Sequence, residues 1–383
     1  MAVPIRKVEM RYSSQKQQRK TITPVVKPVR FNRKEKKKQH PLGGLIILIF
    51  MVVLVSSVFP YTYNNFTRQL LFGPQNQSVN VNYDDLYSPT SNYLKNDYFL
   101  GKNFLKSAEP KKPLMSSFYL AEEMQGLTAR LNRLAQNYPT INPSVFVWDF
   151  ETGKYVNIRA NQQYPSASII KLPVLLELFR SIELGQVGLS DRMQLTEYYR
   201  SSGSGNIQFA RAGNYYTINN LAKVMIQHSD NTATNMIMSN VGGMVDVNRA
   251  IRSWGLKDTY IQNWLPDLAG TNKTSAKDIA TMLYNIDNSS FLSLKSREYI
   301  VDYMSHVENN RLIQAGLPSN AIFLHKTGDI GTMLGDAGIV WAPNGKKYIV
   351  VILAKRPYNS PAGKDYIVNA SSIIYNFLSQ RLF

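Results

Sequence analysis

The sequence predicts an α+β protein in which one mostly antiparallel sheet carries packed terminal helices and an all-helical insert. Three observations support this fold class. Strand patterns occur in two groups, one near the beginning and one near the end of residues 116–383. A helix-rich stretch, about 166–305, separates the two groups, and a helical pattern flanks them at both ends. Because the strands lie at the two ends of the domain, we expect them to meet in a single sheet.

The individual elements follow from apolar periodicity and turn residues. Apolar residues at helical spacing predict a first helix over Phe118–Asn137. Two strands, Ser144–Phe150 and Tyr155–Ile158, are joined by a hairpin turn that contains Gly153. Three further strands and a closing helix complete the pattern: Ala321–His325, Asp336–Trp341, Lys347–Leu353 and Tyr366–Leu378.

The charge of the chain is concentrated at its N-terminus. The 383 residues have a formal net charge of +18, and residues 1–40 hold 13 of the 44 basic side chains but only 2 of the 26 acidic ones. This concentration argues against a nucleic-acid-binding protein, whose basic residues would be spread over a binding surface. The chain has no cysteine, which excludes disulfide scaffolds, thiolate zinc sites and cysteine nucleophiles.

Residues 41–60 follow the basic tail and predict a transmembrane anchor, because about 20 apolar residues suffice to cross a bilayer. The length and the flanks of this stretch disfavour the alternative, a buried core helix. The basic flank indicates that the N-terminus stays in the cytoplasm. The long basic run and the lack of an A-x-A site favour an anchor that is not cleaved. Residues 61–115 show no regular period and predict an irregular extracytoplasmic tether before the domain 116–383.

Ser168 and Lys171 form an S-x-x-K motif near the start of a predicted apolar helix. Residues i and i+3 share one face of a helix, so the amine can approach the serine oxygen. Serine is a weak nucleophile without a neighbouring base, and a lysine partly buried by apolar residues can accept a proton. The motif alone is a weak signal, because a solvated helix face explains most matches; Ser13 and Lys16 also match it.

The tripeptide Ser229–Asn231 has the sequence S-D-N and lies between two predicted helices. A second hydroxyl there could pass a proton to a leaving nitrogen, and the carboxamide could hold both the lysine and a substrate amide. Read in isolation, the same tripeptide would more often be a helix N-cap.

The tripeptide Lys326–Gly328 has the sequence K-T-G and follows a predicted strand. A cation and a hydroxyl could bind a substrate carboxylate there, and the glycine lets the backbone approach a ligand. An edge-strand lysine before a turn is the ordinary alternative. The three motifs occur in the order and at the places that their chemical roles require, which the separate structural interpretations do not explain.

On these motifs the chain resembles the class A β-lactamases and the penicillin-binding D,D-peptidases, over roughly residues 116–383. The resemblance implies a β-lactamase/transpeptidase-like fold and an acyl-serine mechanism without a cofactor. It also implies a set of roles: Ser168 as the nucleophile, Lys171 as its proton acceptor, Ser229 as the proton relay, Asn231 as the residue that positions Lys171 and substrate, Lys326, Thr327 and Gly328 as the carboxylate-binding strand, and the backbone N–H groups of Ser168 and Asp329 as the oxyanion hole.

Two departures from the family's pattern bear on the reaction. Asp329 stands where the family usually has Ser, Thr or Ala, and its carboxylate would disfavour an anionic substrate unless it points away. The family's E-x-x-L-N phrase supplies the glutamate that activates the deacylating water, and residues 255–277 contain no glutamate. Counting without gaps places Asn263 on the asparagine and Thr259 on the glutamate. Asn263 and Asp267 are therefore candidates for positioning water, although an aspartate beside proline is more often a turn residue.

These residues predict a membrane-anchored serine hydrolase that acts outside the cytoplasm, on the periplasmic side. The leading hypothesis is a β-lactamase that opens β-lactam amides and confers antibiotic resistance. One alternative is a D,D-peptidase acting on D-Ala-D-Ala peptides, or a slow penicillin-binding protein that is acylated but deacylates poorly. Another is a non-catalytic domain that binds peptidoglycan or a partner.

No metal site and no nucleic-acid partner are expected. The chain has four histidines, no cysteine and no H-E-x-x-H motif, so the sequence gives no support to a metal centre. His228 and His325 directly precede two of the motifs, and a lone histidine beside an apolar run is usually structural. We therefore expect both histidines to be structural residues and not to bind an ion.

Overall fold

The computed structural model describes residues 115–379, which form a central sheet with helices on both of its faces. The strands are, in chain order, β1 (Asn142–Asp149), β2 (Tyr155–Ile158), β3 (Tyr164–Pro165), β4 (Arg192–Gln194), β5 (Tyr215–Thr217), β6 (Lys273–Thr274), β7 (Ile322–Asp329), β8 (Met333–Trp341) and β9 (Lys347–Lys355). The α-helices are α1 (Gln125–Gln136), α2 (Lys171–Glu183), α3 (Ile218–Gln227), α4 (Asn231–Asn240), α5 (Gly243–Ser253), α6 (Ala276–Asp287), α7 (Leu294–Ser305) and α8 (Ala362–Ser379).

The central sheet joins the two groups of strands that the sequence separates. Its order is β2-β1-β9-β8-β7, and all four pairings are antiparallel. The N-terminal strand β1 pairs with the C-terminal strand β9 along its whole length, from Asn142 to Asp149. The predicted α+β class, with one antiparallel sheet and terminal helices, is confirmed. β7 lies at one edge of the sheet, and it is this edge that carries the K-T-G tripeptide.

The sheet is buried on both faces, which explains why its strands read as nearly continuous apolar runs. On β1, Val145 and Val147 belong to the core beneath the terminal helices α1 and α8. Phe146 and Trp148 alternate with them and belong to the larger core beneath the helical insert. This period of two fixes the register, because a slip by one residue would exchange the two cores.

Three element predictions need correction. The first helix begins at Gln125, not at Phe118, because the preceding segment runs beside β2 and donates from the Met124 amide to the Tyr155 carbonyl (2.7 Å). The insert is not all-helical, since β3 pairs with β6 and β4 pairs with β5. β7 does not end at His325 but continues through K-T-G to Asp329, held by its pairing with β8.

The predicted basic tail (1–40), the anchor (41–60) and nearly all of the tether (61–115) lie outside the described residues. Within 115–379, no helix combines the length and the apolar character needed to cross a membrane. The predicted domain boundaries therefore stay predictions.

Candidate active site

Ser168 lies in a 3₁₀ turn, Ala167–Ile170, that runs directly into α2. The prediction placed Ser168 at the start of the α-helix, but α2 begins at Lys171, three residues later. The spacing of three residues still brings the two side chains together, and the Lys171 Nζ atom lies within hydrogen-bond distance of the Ser168 Oγ atom, at 3.1 Å. Ala167 has a left-handed φ of 44°, which is uncommon outside glycine and indicates a backbone held by its surroundings.

The Lys171 amine is completely buried and has more acceptors around it than hydrogens to give. It contacts the Asn231 Oδ1 atom at 2.9 Å, the Ser229 hydroxyl at 3.0 Å and the Ser229 carbonyl oxygen, besides Ser168. Burial, and then the charge of Lys326, lower the pKa of Lys171 well below its ordinary value, against an opposing effect of Asp230. A neutral amine has two hydrogens and a lone pair. The carbonyl and carboxamide oxygens only accept, so they take the hydrogens and leave the lone pair for a hydroxyl proton.

Ser229 holds the centre of this network through an unusual backbone conformation. Its φ is 56°, in the left-handed region, and α4 begins two residues later. The Asp230 carboxylate caps α4 by accepting from the Ala233 amide at 2.8 Å, and also accepts from the Ile207 amide at 2.9 Å. The predicted N-cap and the predicted site are therefore both present, on adjacent residues.

The loop 201–205 presses against the S-D-N tripeptide. Asn231 donates its side-chain amide to the Ser202 carbonyl at 2.9 Å, which leaves its oxygen for Lys171. Gly205 has a φ of +92°, and a Cβ atom there would overlap the Asp230 carboxylate. Glycine at this position is thus a requirement of the backbone and of the packing.

Lys326, on β7, brings a second amine to the same hydroxyl. It is completely buried and donates to the Ser229 oxygen at 3.1 Å and to the Thr327 carbonyl at 3.0 Å. Burial lowers the pKa of Lys326 to about 7, although the charge of Asp336 opposes this effect. The Ser229 hydroxyl therefore lies between two amines whose protons are loosely held.

Gly328 lets the strand approach the nucleophile. A Cβ atom at Gly328 would lie 3.1 Å from the Ser168 backbone nitrogen and 3.0 Å from the Ala167 Cβ. The close approach places the β7 backbone beside the Ser168 amide, one of the two groups that the resemblance assigns to the oxyanion hole. A cavity of about 180 Å³ lies along this junction and is lined by Ser168, Ser229, Lys326, Thr327, Gly328 and Asp329, among others.

The Asp329 carboxylate does not stand free in the cavity. It accepts from the Arg356 guanidinium at 2.6 Å and from the Gly331 amide at 2.8 Å. The guanidinium side chain is only 6% exposed, so the pair is partly shielded from solvent. This pairing offsets the negative charge that the sequence places beside an anionic substrate.

The two candidates for positioning water, Asn263 and Asp267, are not brought to this cavity. The buried Asp267 carboxylate accepts from the Asn272 amide at 2.6 Å and from the Thr271 hydroxyl at 2.8 Å. Asn263 is exposed and donates to the same Thr271 hydroxyl at 2.7 Å. Thr259 is buried against Asp278 and Thr274. All three side chains form hydrogen bonds within this loop or with the elements next to it.

Two contacts that support the site were missed at the sequence level. His325 is buried, and its Nδ1 atom lies 2.9 Å from the Asp336 carboxylate, which also acts on the charge of Lys326. Arg356 reaches Asp329 across the sheet edge. A charged residue inside the apolar run Met333–Trp341 was the available signal for Asp336. Nothing in the sequence pattern marks Arg356.

Comparisons with known proteins agree with this geometry. The model of the β-lactamase enzyme family matches residues 126–378. A β-lactamase of Streptomyces fradiae is 27% identical over 239 residues, which is 59% of this chain and 78% of that protein. A β-lactamase of Bacillus licheniformis is 25% identical over 247 residues, which is 61% of this chain and 78% of that protein.

Solved structures give the same result. The structure of PBP-A is 35% identical, covers 68% of this chain and 98% of that one, and superposes with a TM-score of 0.67. An ancestral class A β-lactamase, at 22% identity, covers 66% of this chain and 99% of that one with a TM-score of 0.62, and shares the fold. With the motifs, the sheet topology and the family match in agreement, this chain belongs to the β-lactamase enzyme family and is a serine hydrolase of the class A-like type.

Proposed function

We propose that β-lactams acylate this protein on Ser168 and that the acyl-enzyme hydrolyses slowly. The observation that carries the proposal is the buried Lys171 amine, which touches the Ser168 hydroxyl while its hydrogens are taken by carbonyl-type acceptors. A general base within hydrogen-bond reach of a serine is the arrangement that nucleophilic catalysis needs.

During acylation, one proton moves from Ser168 through Lys171 and Ser229 to the leaving nitrogen. The Ser168 proton passes to the Lys171 amine while the hydroxyl oxygen attacks the lactam carbonyl carbon. The ring C–N bond then breaks, and the Ser229 hydroxyl gives its proton to the leaving nitrogen and regains one from Lys171, 3.0 Å away. Lys326 and Thr327 bind the substrate carboxylate, and the Ser168 and Asp329 amides stabilise the oxyanion.

The residues of the loop 258–272 support slow deacylation. The family's E-x-x-L-N phrase, aligned on Leu268, places Leu265 on the glutamate and Ala269 on the asparagine. Leu265 is the loop residue tied to α4, because its amide donates to Asn235 and its carbonyl accepts from Asn235 and from Ser201. An apolar side chain at this point cannot activate water. A variant of PBP-A has been solved as its acyl-enzyme with penicillin G.

A D,D-peptidase activity is the second candidate, and the carboxylate-binding strand supports it. A peptide that ends in D-Ala-D-Ala presents a terminal carboxylate beside the scissile amide. Lys326 and Thr327 suit that carboxylate as well as they suit the one on a β-lactam.

The proposal extends to location. Residues 41–60 would anchor the chain in the cytoplasmic membrane, with the tether 61–115 leading to the hydrolase domain 116–383 outside the cytoplasm. Both β-lactams and peptidoglycan peptides are met on that side of the membrane.

The test is intact-protein mass spectrometry of the full chain after exposure to penicillin G, with Ser168→Ala as the control. We expect a long-lived penicilloyl adduct that the Ser168→Ala protein lacks, and drug consumption that stays close to stoichiometric. No adduct on the unchanged protein would overturn acylation, and rapid drug turnover would overturn slow deacylation. Release of D-alanine from a D-Ala-D-Ala peptide measures the second candidate.

A further inference from the structure

One wall of the catalytic cavity carries an acidic side chain that the reaction does not use. Val307, Glu308 and Asn309 line the cavity together with Gln227 and His228. The Glu308 amide donates to the Gln227 carbonyl at 3.1 Å, and its carboxylate lies 2.8 Å from the His228 Nδ1 atom. These two contacts hold Glu308 beside the residues that directly precede Ser229.

The position of the segment 307–309 determines which part of a bound substrate lies next to Glu308. The scissile carbonyl belongs at Ser168, and the leaving nitrogen belongs at the Ser229 hydroxyl. In a β-lactam, the carboxylate is attached to the ring that contains the leaving nitrogen, and Lys326 with Thr327 receives it. That ring therefore lies between Ser229 and β7. Glu308 lines the same cavity, and its contacts with Gln227 and His228 hold it directly before Ser229 in the structure.

The charges of the cavity leave Glu308 available to a ligand. The Asp329 carboxylate is paired with Arg356 at 2.6 Å, and the proposed function assigns Lys326 to the substrate carboxylate. Within residues 115–379, the one basic side chain in contact with the Glu308 carboxylate is the His228 imidazole, and the Glu308 side chain is 67% exposed. A carboxylate at the mouth of a cavity attracts a cation on the ligand and repels an anion, and the nearby protein surface reduces solvent screening.

We propose that Glu308 is a specificity-determining residue, which favours substrates that carry a positive charge on the leaving-group ring. The proposal rests on the acylation of Ser168 by β-lactams proposed above. It concerns the leaving-group side alone, so the acyl side chain can be kept constant in its test.

Two cephalosporins provide the matched probes. Cephaloridine and cephalothin share one thienylacetyl side chain and differ in the substituent on the six-membered ring, which is a pyridinium in cephaloridine and an acetoxy group in cephalothin. The measured quantity is the ratio of their second-order acylation rate constants, cephaloridine over cephalothin, on the full chain. Intrinsic differences between the two drugs cancel when this ratio is compared between protein variants.

Glu308→Gln should lower the ratio about three- to tenfold, the effect of one unit charge at roughly 5 to 6 Å in a partly solvated site. Glu308→Lys should lower it further, and added salt should reduce the difference between the variants. The control is Glu122→Gln, which makes the same charge change at a 73%-exposed side chain beside β2, at the opposite edge of the sheet. Its ratio should equal that of the unchanged protein.

The outcomes separate the two proposals. If both drugs acylate Ser168 but the ratio is the same in Glu308→Gln as in the unchanged protein, the specificity role is wrong and acylation stands. If the ratio falls equally in Glu122→Gln, the effect is one of net charge, and the role of Glu308 is again wrong. If neither drug forms an adduct, the proposed function fails and the inference fails with it.

Discussion

The catalytic cleft and the loop 258–272 use similar side chains for opposite purposes. In the cleft, the Lys171 amine contacts both the Ser168 hydroxyl and the Ser229 hydroxyl, so it connects the nucleophile to the proton relay. In the loop, the Asp267 carboxylate is consumed by the Asn272 amide and the Thr271 hydroxyl. A reactive residue type therefore indicates chemistry only where its own loop has not already satisfied its hydrogen bonds.

The largest expected effect is on the cleft side, where removal of the Lys171 amine should slow the acylation of Ser168. Lys171→Met should lower the acylation rate by about 10⁴, near the upper end for a general base, because the same side chain also holds Ser168 and Ser229. The measurement is the rate of penicilloyl adduct formation. Thermal unfolding serves as the folding control, and we expect a loss of about 1–3 kcal/mol in the free energy of unfolding, because the Asn231 side-chain oxygen and the Ser229 carbonyl oxygen lose their donor. Acylation within tenfold of the unchanged protein would show that another base acts.

The loop side can be changed by adding the missing carboxylate. Leu265→Glu should increase the deacylation rate by about 10², the lower end for a general base, since no neighbours have been adapted to orient it. Leu265→Gln is the matched control, with the same shape and hydrogen-bonding capacity but no base. Adduct decay after removal of free penicillin G measures both. Equal decay in the two variants would mean that this position does not border the acyl ester.

The two lysines of the cleft predict a bell-shaped pH dependence of the second-order acylation rate constant. The expected change in rate is smaller than that of the two substitutions above. Acylation requires neutral Lys171, whose pKa is lowered well below normal, so the rate should rise with pH through that lowered value. Carboxylate binding requires charged Lys326, whose pKa burial lowers to about 7, so the second-order rate constant should fall above about pH 7. Lys326→Arg should abolish the fall, because a guanidinium stays protonated. A descending limb that survives in this variant would assign it to another group.

The fold class could be predicted because its signals are local. The apolar runs of β1 and β9 and the spacing of α8 are properties of short segments. The end of β7 was placed too early, because lysine and glycine, the residue types of Lys326 and Gly328, are depleted in strands. The strand continues because β7 pairs with β8 as far as Asp329 and Leu334. This pairing is a tertiary interaction, and strand propensity alone does not predict it.

The candidate site could be predicted in its parts but not in its connections. The spacing of Ser168 and Lys171 survives even though the segment is a 3₁₀ turn, because both turn types bring i and i+3 together. The pair His325–Asp336 joins β7 to β8, and the pair Arg356–Asp329 joins the residue after β9 to β7. Neither pair can be read from a short segment of sequence. Ungapped counting led to Thr259, whose hydroxyl is buried against Asp278, since loop lengths are not fixed by local patterns.

Gly205 has a consequence for how this protein can change over generations. Any side chain there would strike Asp230 and shift the α4 cap, so Gly205 cannot be replaced without disturbing the geometry of Ser229 and Asn231. The segment 307–309 lines the catalytic cavity and carries an exposed side chain at Glu308. Adaptation to a new antibiotic or peptide should therefore accumulate on the segment 307–309, while Gly205 stays invariant.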